Sequence, residues 1–310
     1  MSDIPATPEW NEINFSSQDG LTLYARHYPA QASQASGTQA PAWPLLCLAG
    51  LTRNSKDFHN LAVHLSRRSK MPRDVYCLDY RGRGRSNHDR NWRNYSPYIE
   101  MLDTLDFMTM AELHHTAILG TSRGGIIAML LGVARPGAIS AVILNDIGPV
   151  IESRGLARII GYVGKTPAPE NWADAADIVR DMSARFFTDI AEDEWMEIAR
   201  QWFNEEDGKP VQGYDLDLAN TLSEINLAEP VPKMWPQFDA LSHVPIMVLR
   251  GENSDLLSLE TAKEMASRHP RLQSYEVQEE GHAPLLRDRR SLRVIDTFLA
   301  GIDPTTEEPA

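Results

Sequence analysis

The most restrictive feature of the chain is Gly120-Thr121-Ser122-Arg123-Gly124, set between an apolar run from Thr116 to Leu119 and a segment from Gly124 to Ala134 that is apolar nearly all round. The first run has the length of a buried strand, and the second reads as a central helix buried on every side. In that setting a G-x-S-x-G pattern reads as a nucleophile elbow, a strained strand-to-helix turn with the serine at its tip. Glycines stand two places either side of the serine because a larger residue would clash where strand and helix cross. Gly125 extends the same allowance. The turn lifts the Ser122 hydroxyl above the sheet and aims a helix N-terminus at any oxyanion that develops beside it. Without its flanks the pattern would be a glycine-rich turn whose serine merely caps a helix.

The rest of the chain keeps a strand–helix rhythm. Ile13 to Ser17 and Leu21 to His27 read as two strands joined by Gln18-Asp19-Gly20. Residues 30 to 42 are small and polar, a surface loop. Short buried strands are expected at Leu45 to Leu48, Val75 to Leu78, Ile139 to Leu144, Pro245 to Arg250 and Ser274 to Val277. Helices are expected over Asp57 to Arg68, Leu259 to His269 and Ser291 to Ala300, and from Pro97 to about Met110 behind a Ser96 N-cap. Such alternation implies a parallel sheet covered on both faces. Between Gly148 and Ala240 the rhythm breaks. No strand is legible there, and helical stretches rich in acids and aromatics include Trp172, Trp195, Trp202 and Trp235. The 310 residues therefore divide into a core, 1–147 with 241–310, and a helical insertion at 148–240.

Composition narrows the partners. A formal net charge of −13 makes a surface that repels nucleic acid and anionic membranes. No apolar run approaches the ~20 residues of a spanning helix, and the N-terminus shows no signal-peptide pattern. Cys47 and Cys77 fall inside apolar strands and make no disulfide framework, so the cytoplasm is the expected compartment. No His/Cys/Asp cluster has ligand spacing, and neither metal nor cofactor is expected.

A serine hydroxyl needs a base, itself oriented by an acid. For this elbow the chain order is serine, acid, histidine. Of nine histidines, His282 in Glu279-Glu280-Gly281-His282-Ala283-Pro284 is the one in a glycine-flanked loop directly after the last strand. His114 and His115 lead into a strand ahead of the serine, and His59, His64 and His269 fall on helices. Asp255, in the loop after the penultimate strand, is the expected acid. Asp146, ending the strand before the insertion, and Glu252 are the alternatives.

Together these residues resemble the α/β-hydrolase family, in its capped group of small esterases, lactonases and carbon–carbon bond hydrolases. The resemblance runs from about Ile13 to Ala300. It rests on Leu48-Ala49-Gly50-Leu51-Thr52, Asp79-Tyr80-Arg81-Gly82-Arg83-Gly84-Arg85-Ser86, the elbow, Arg250-Gly251-Glu252-Asn253-Ser254-Asp255 and Gly281-His282. It implies an α/β-hydrolase fold: a mostly parallel eight-stranded sheet, helices on both faces, and the insertion as a helical cap. It also implies Leu51 and Arg123 as the backbone donors of an oxyanion hole. Ala49 stands where the family usually has a histidine, but backbone donors do not depend on that side chain. The Arg81 to Ser86 run falls where the family has a structural loop, and it lacks the spacing of a phosphate cradle.

The implied reaction is two-step acyl transfer on a small ester or lactone by Ser122, His282 and Asp255, without a cofactor, in a monomer or homodimer. Insertion aromatics would line an apolar pocket. A carbon–carbon hydrolase of a ring-cleavage product would use the same residues, though its Ser-Gly-x-Gly-Pro-Gly-like loop is absent. A perhydrolase or cofactor-free haloperoxidase would share them too. Epoxide hydrolases and dehalogenases carry aspartate at the elbow, which Ser122 argues against. From another class, a ligand-binding receptor on a retired hydrolase fold is disfavoured by the intact set. Arg53 and Arg123, near the oxyanion hole, are candidates for holding an anionic substrate group.

Overall fold

The computed structural model describes residues 9–31 and 41–304, so most of the expected loop at 30 to 42 lies outside the described residues. β1 (Asn11–Ser16) and β2 (Thr22–Tyr28) pair antiparallel across the expected turn, where Gly20 takes φ +83°. β3 (Leu45–Leu48), α1 (His59–Val63) and β4 (Val75–Asp79) follow. α2 (Pro97–Met110) starts where its N-cap signal lies, with Ser96 Oγ accepting the Ile99 amide. Such a cap stabilises a helix by roughly 1 kcal/mol. β5 (Thr116–Thr121), α3 (Arg123–Ala134) and β6 (Ile139–Asn145) complete the first half.

The inserted stretch carries α4 (Ser153–Tyr162), α5 (Trp172–Ser183) and α6 (Glu194–Trp202), then β7 (Asn204–Glu206) and β8 (Lys209–Val211), then α7 (Leu218–Ser223) and α8 (Trp235–Asp239). The β7–β8 hairpin departs from the strandless stretch expected there. Its three-residue strands are too short to show alternation. The legible trace is Asp207-Gly208, both at positive φ as a tight hairpin turn requires. β9 (Ile246–Gly251), α9 (Leu259–Arg268), β10 (Leu272–Val277) and α10 (Arg289–Ala300) return the chain to the sheet.

The eight core strands lie in the order β1-β2-β4-β3-β5-β6-β9-β10, and every pair from β4 to β10 is parallel. Alternation sorts their side chains onto two faces. Leu46, Leu48, Ile118, Val142 and Val248 meet α2, α3 and α8 through Phe107, Ile127 and Phe238. Leu45, Cys47, Leu119, Ile143 and Leu249 meet α1 and α10 through Leu61, Ile295 and Phe298. Each large apolar side chain buried this way contributes on the order of 1.5–3 kcal/mol. α5 and α6 close a smaller cluster of their own, including Val179, Trp195, Ile198 and Phe203. Among the described residues, no helix is long and apolar enough to cross a membrane.

Candidate active site

The turn between β5 and α3 is as tight as its glycines require. A Cβ added at Gly120 would lie 2.4 Å from the Gly124 backbone, and one at Gly124 would lie 2.0 Å from the Leu48 carbonyl oxygen. Ser122 holds φ +51° and ψ −111°, a conformation that a side-chain-bearing residue adopts only when its surroundings enforce it. Its amide donates to the Asn145 carbonyl of the neighbouring strand (3.1 Å), which fixes the turn over the sheet edge.

His282 arrives from the loop after β10. Ser122 Oγ donates to its Nε2 (2.9 Å), and its Nδ1 donates to Asp146 Oδ2 (2.8 Å). Asp146 is fully buried. Its Oδ1 accepts the Gly251 amide (2.9 Å), and its Oδ2 also accepts the Ser254 hydroxyl (2.6 Å). The Ser254 oxygen in turn accepts the amides of Leu256 and Leu257, so its proton has one direction left, toward Asp146. Asn145 Nδ2 bridges Thr121 Oγ1 and the Pro284 carbonyl, tying the histidine loop to the elbow. A base held in one tautomer, against a serine on one side and a carboxylate on the other, is built to take and return a proton.

Asp255, the expected acid, stands elsewhere. Arg158 of α4 grips it with two hydrogen bonds, both 2.7 Å. Burial pushes its carboxyl up, but the guanidinium outweighs that and holds it below the ordinary range. Strand order places Asp146, not Asp255, at the histidine. β6 sits between β5 and β9, so a residue one step past its end lies beside the elbow and under the returning histidine loop. Asp255 is four residues past β9, in the turn entering α9, and faces the insertion. Glu252, the other alternative, accepts the Glu279 amide (3.0 Å). Sequence reasoning named Asp146 only as an alternative and missed Ser254 and Arg158. The legible signal was that Asp146 directly abuts its strand, whereas Asp255 does not.

The loop after β3 approaches the nucleophile closely: a Cβ added at Gly50 would lie 3.9 Å from Ser122 Cβ. Leu51 follows it. The Arg123 amide is the first of α3, and helix geometry offers it no carbonyl one turn back. Leu51 lines the same cavity as Ser122, and Arg123 follows Ser122 directly in the chain. The arginine side chains considered for an anionic group are already engaged. Arg123 Nε donates to Glu100 (2.8 Å) and its Nη2 to the Tyr95 carbonyl (2.7 Å). Arg53 pairs with Asp57 and stacks 4.2 Å from the Trp202 ring.

Ser122 and His282 open into a cavity of about 110 Å³, smaller than the ~300–1,000 Å³ of drug-sized sites. Its far wall comes from the insertion: Ile159, Tyr162, Phe186, Phe187, Trp195 and Trp202. The other two tryptophans singled out in the sequence pack elsewhere. Trp172 lies under the Arg200 guanidinium and Trp235 meets Phe238 edge-on. The insertion also touches the histidine loop directly, through a Thr188 amide bonded to the Glu279 carbonyl (3.0 Å).

Residues 45–296 match the model of the Alpha/beta hydrolase family, so with this sheet and elbow the chain belongs to that family. It is 30% identical over 310 residues to the 3-hydroxybutyrate-oligomer hydrolase of Cupriavidus necator, across 96% of this chain and 100% of that one. A crystal structure of an alpha/beta hydrolase from Novosphingobium aromaticivorans superposes with a TM-score of 0.85 and 35% identity, covering 95% of this chain and 99% of that one. A monoacylglycerol lipase of Mycolicibacterium smegmatis is 29% identical over 147 residues, 43% of this chain and 49% of that one. These relatives support a hydrolase, with esters as the coarse substrate class.

Proposed function

We propose that the chain is a serine hydrolase of carboxylic esters or lactones of small, partly apolar molecules, with a triad of Ser122, His282 and Asp146. The observation that carries this reading is the unbroken hydrogen-bonded line from Ser122 Oγ through His282 to Asp146, at the floor of an apolar cavity. His282 takes the hydroxyl proton as the serine oxygen attacks the carbonyl. Asp146 stabilises the imidazolium that forms, and the Leu51 and Arg123 amides receive the oxyanion. His282 then gives its proton to the leaving alcohol, and water attacks the acyl-enzyme by the same route in reverse. No step calls on a cofactor. The insertion acts as a lid whose aromatics select the acyl or alcohol group. The cavity fits a short chain, and the relative named for 3-hydroxybutyrate oligomers makes a short hydroxyacyl ester the first substrate to assay. Two unpaired, buried thiols, Cys47 and Cys77, suit a reducing cytoplasm.

The test is labelling with a fluorophosphonate, together with turnover of p-nitrophenyl esters, lactones, a hydroxybutyrate dimer and a dienoate ring-cleavage product. Ser122 is expected to be the labelled residue, and Ser122→Ala to lower kcat by on the order of 10⁶. Label retained by Ser122→Ala would refute the assignment. Turnover of the dienoate alone would move the reaction to carbon–carbon cleavage.

A further inference from the structure

Behind the two backbone donors lies a charged cluster sealed from solvent. The side chains of Arg83 and Glu100 are both 0% exposed, and buried charges persist only where partners offset their desolvation. Arg83 makes two hydrogen bonds and one ion pair, whose two atoms have no hydrogen-bond partner among the described residues. Its Nε donates to the Leu51 carbonyl (2.9 Å), its Nη1 to the Arg81 carbonyl (2.6 Å), and its Nη2 lies 2.7 Å from Glu100 Oε1. The other oxygen of Glu100 accepts from Arg123 Nε (2.8 Å). One carboxylate on α2 therefore connects both residues whose amides flank Ser122: Leu51 through Arg83, and Arg123 directly. The second inward carboxylate of α2, Asp103, is taken by Arg81 together with Asp19 and Asp89, which leaves Glu100 to this pair of arginines.

We infer that Arg83 and Glu100 are positioning residues for the oxyanion hole, an inference that rests on the reading of Ser122 as nucleophile. Leu51 occupies a turn after β3 whose peptide planes no strand ladder fixes. Its N–H is oriented by the turn itself, since the Gly50 carbonyl in the same peptide plane accepts the Arg53 amide (3.1 Å), and the Arg83 bond to the Leu51 carbonyl anchors that turn in place beside the elbow. The Arg123 N–H lies in the peptide plane of the Ser122 carbonyl, which accepts the Gly125 amide (2.9 Å), and the arginine's grip on Glu100 ties this first turn of α3 to α2. Oxyanion donors are effective because they are aimed before charge develops. A hole whose two donors can drift apart gives up part of that advantage, and the Arg83–Glu100–Arg123 link holds their separation. The arginine-rich loop thus supports the chemistry as well as the fold.

The experiment begins with the wild type. Fluorophosphonate labelling and ester turnover there secure the nucleophile, and their absence would refute that reading rather than the network. Arg83→Met and Arg123→Met are then compared for kcat, KM, thermal midpoint and inhibition by an alkyl trifluoromethyl ketone. Serine addition to this probe leaves an oxyanion in the hole. Each variant is expected to lose about tenfold in kcat, less than the ~10²–10³ of deleting a donor outright. KM should stay within about twofold, and ketone affinity should fall in step with kcat/KM. Arg123→Lys keeps a cation facing Glu100 and should recover most of the loss. Should Arg83→Met fail to fold, the shape-conserving Glu100→Gln and the partly exposed Arg123→Met read the same split. Folded variants with wild-type kcat and ketone affinity, whatever their thermal midpoint, would overturn the inference and leave the cluster a folding element.

Discussion

β6 and β9 are neighbours in the sheet, and each ends in a loop that carries an aspartate, yet the two carboxylates have opposite surroundings. Past β6, Asp146 is sealed, accepts one amide and one hydroxyl, and faces an imidazole. Past β9, Asp255 faces a guanidinium of the insertion. The β9 loop still serves the first site, since Gly251 and Ser254 supply the bonds that hold Asp146 in place. A carboxylate at a strand end is a general resource; its use is decided by which element arrives opposite it.

The widest separation between the two should appear in turnover. Asp146→Asn is expected to lower kcat by roughly 10⁴, because an amide stabilises the wrong histidine tautomer and cannot balance the imidazolium. Asp255→Asn should leave kcat within a few-fold of wild type and lower thermal stability at neutral pH. Because the folded-state pKa of Asp255 is depressed, its contribution is present above the ordinary carboxylate range and lost as pH falls through it. The gap in melting temperature between wild type and Asp255→Asn should therefore close in acid. Purified variants with circular dichroism and steady-state kinetics decide the matter, and an active Asp146→Asn beside a dead Asp255→Asn would reverse it.

Ser254→Ala probes the bond by which one loop supports the other. Removing a hydrogen bond to a charged group costs ~1.5–3 kcal/mol, so a loss of about tenfold or more in kcat is expected, with KM little changed. An unaltered kcat would show that Asp146 needs no help from β9. On the insertion side, Trp202→Ala should raise KM and shift chain-length preference by a few-fold while small-probe labelling proceeds as before. A folded variant that no longer labels would make the insertion part of the chemistry.

The smallest expected effect concerns Glu280, two residues before His282, whose Oε2 accepts the Leu285 amide across that loop. Burial pushes its carboxyl up to about 7 from an ordinary 4.5. Between those values the folded chain binds a proton that the unfolded chain releases, so wild-type stability falls as pH rises through the window. Glu280→Gln keeps an acceptor and removes the titration. Its melting temperature relative to wild type should be higher at pH 8 than at pH 5, as thermal scans at the two pH values would show. A difference independent of pH would disprove the link.

Much of this protein was legible in one dimension. Apolar runs of strand length, the Ser96-Pro97 start of α2 and the glycines around Ser122 are local signals, set by side-chain sterics and backbone propensity within a few residues. They placed the core strands and the helices between them, and they singled out Ser122 and His282, with Leu51 and Arg123 following from the family resemblance. The β7–β8 hairpin escaped because three residues per strand are too few to carry a hydrophobic pattern. The acid escaped for a different reason. Asp146 and Asp255 are both short carboxylates in loops after strands, and their one local difference, the distance from the strand end, does not say which element arrives opposite each. Only the order of strands in the sheet brings Asp146 under His282, and only the docking of α4 brings Arg158 to Asp255. Arg83 is the same kind of case: its partners lie at Leu51 and Glu100, on elements far apart along the chain. Electrostatic pairing falls off over a few ångströms, whereas sequence separation says nothing of distance until the chain has folded.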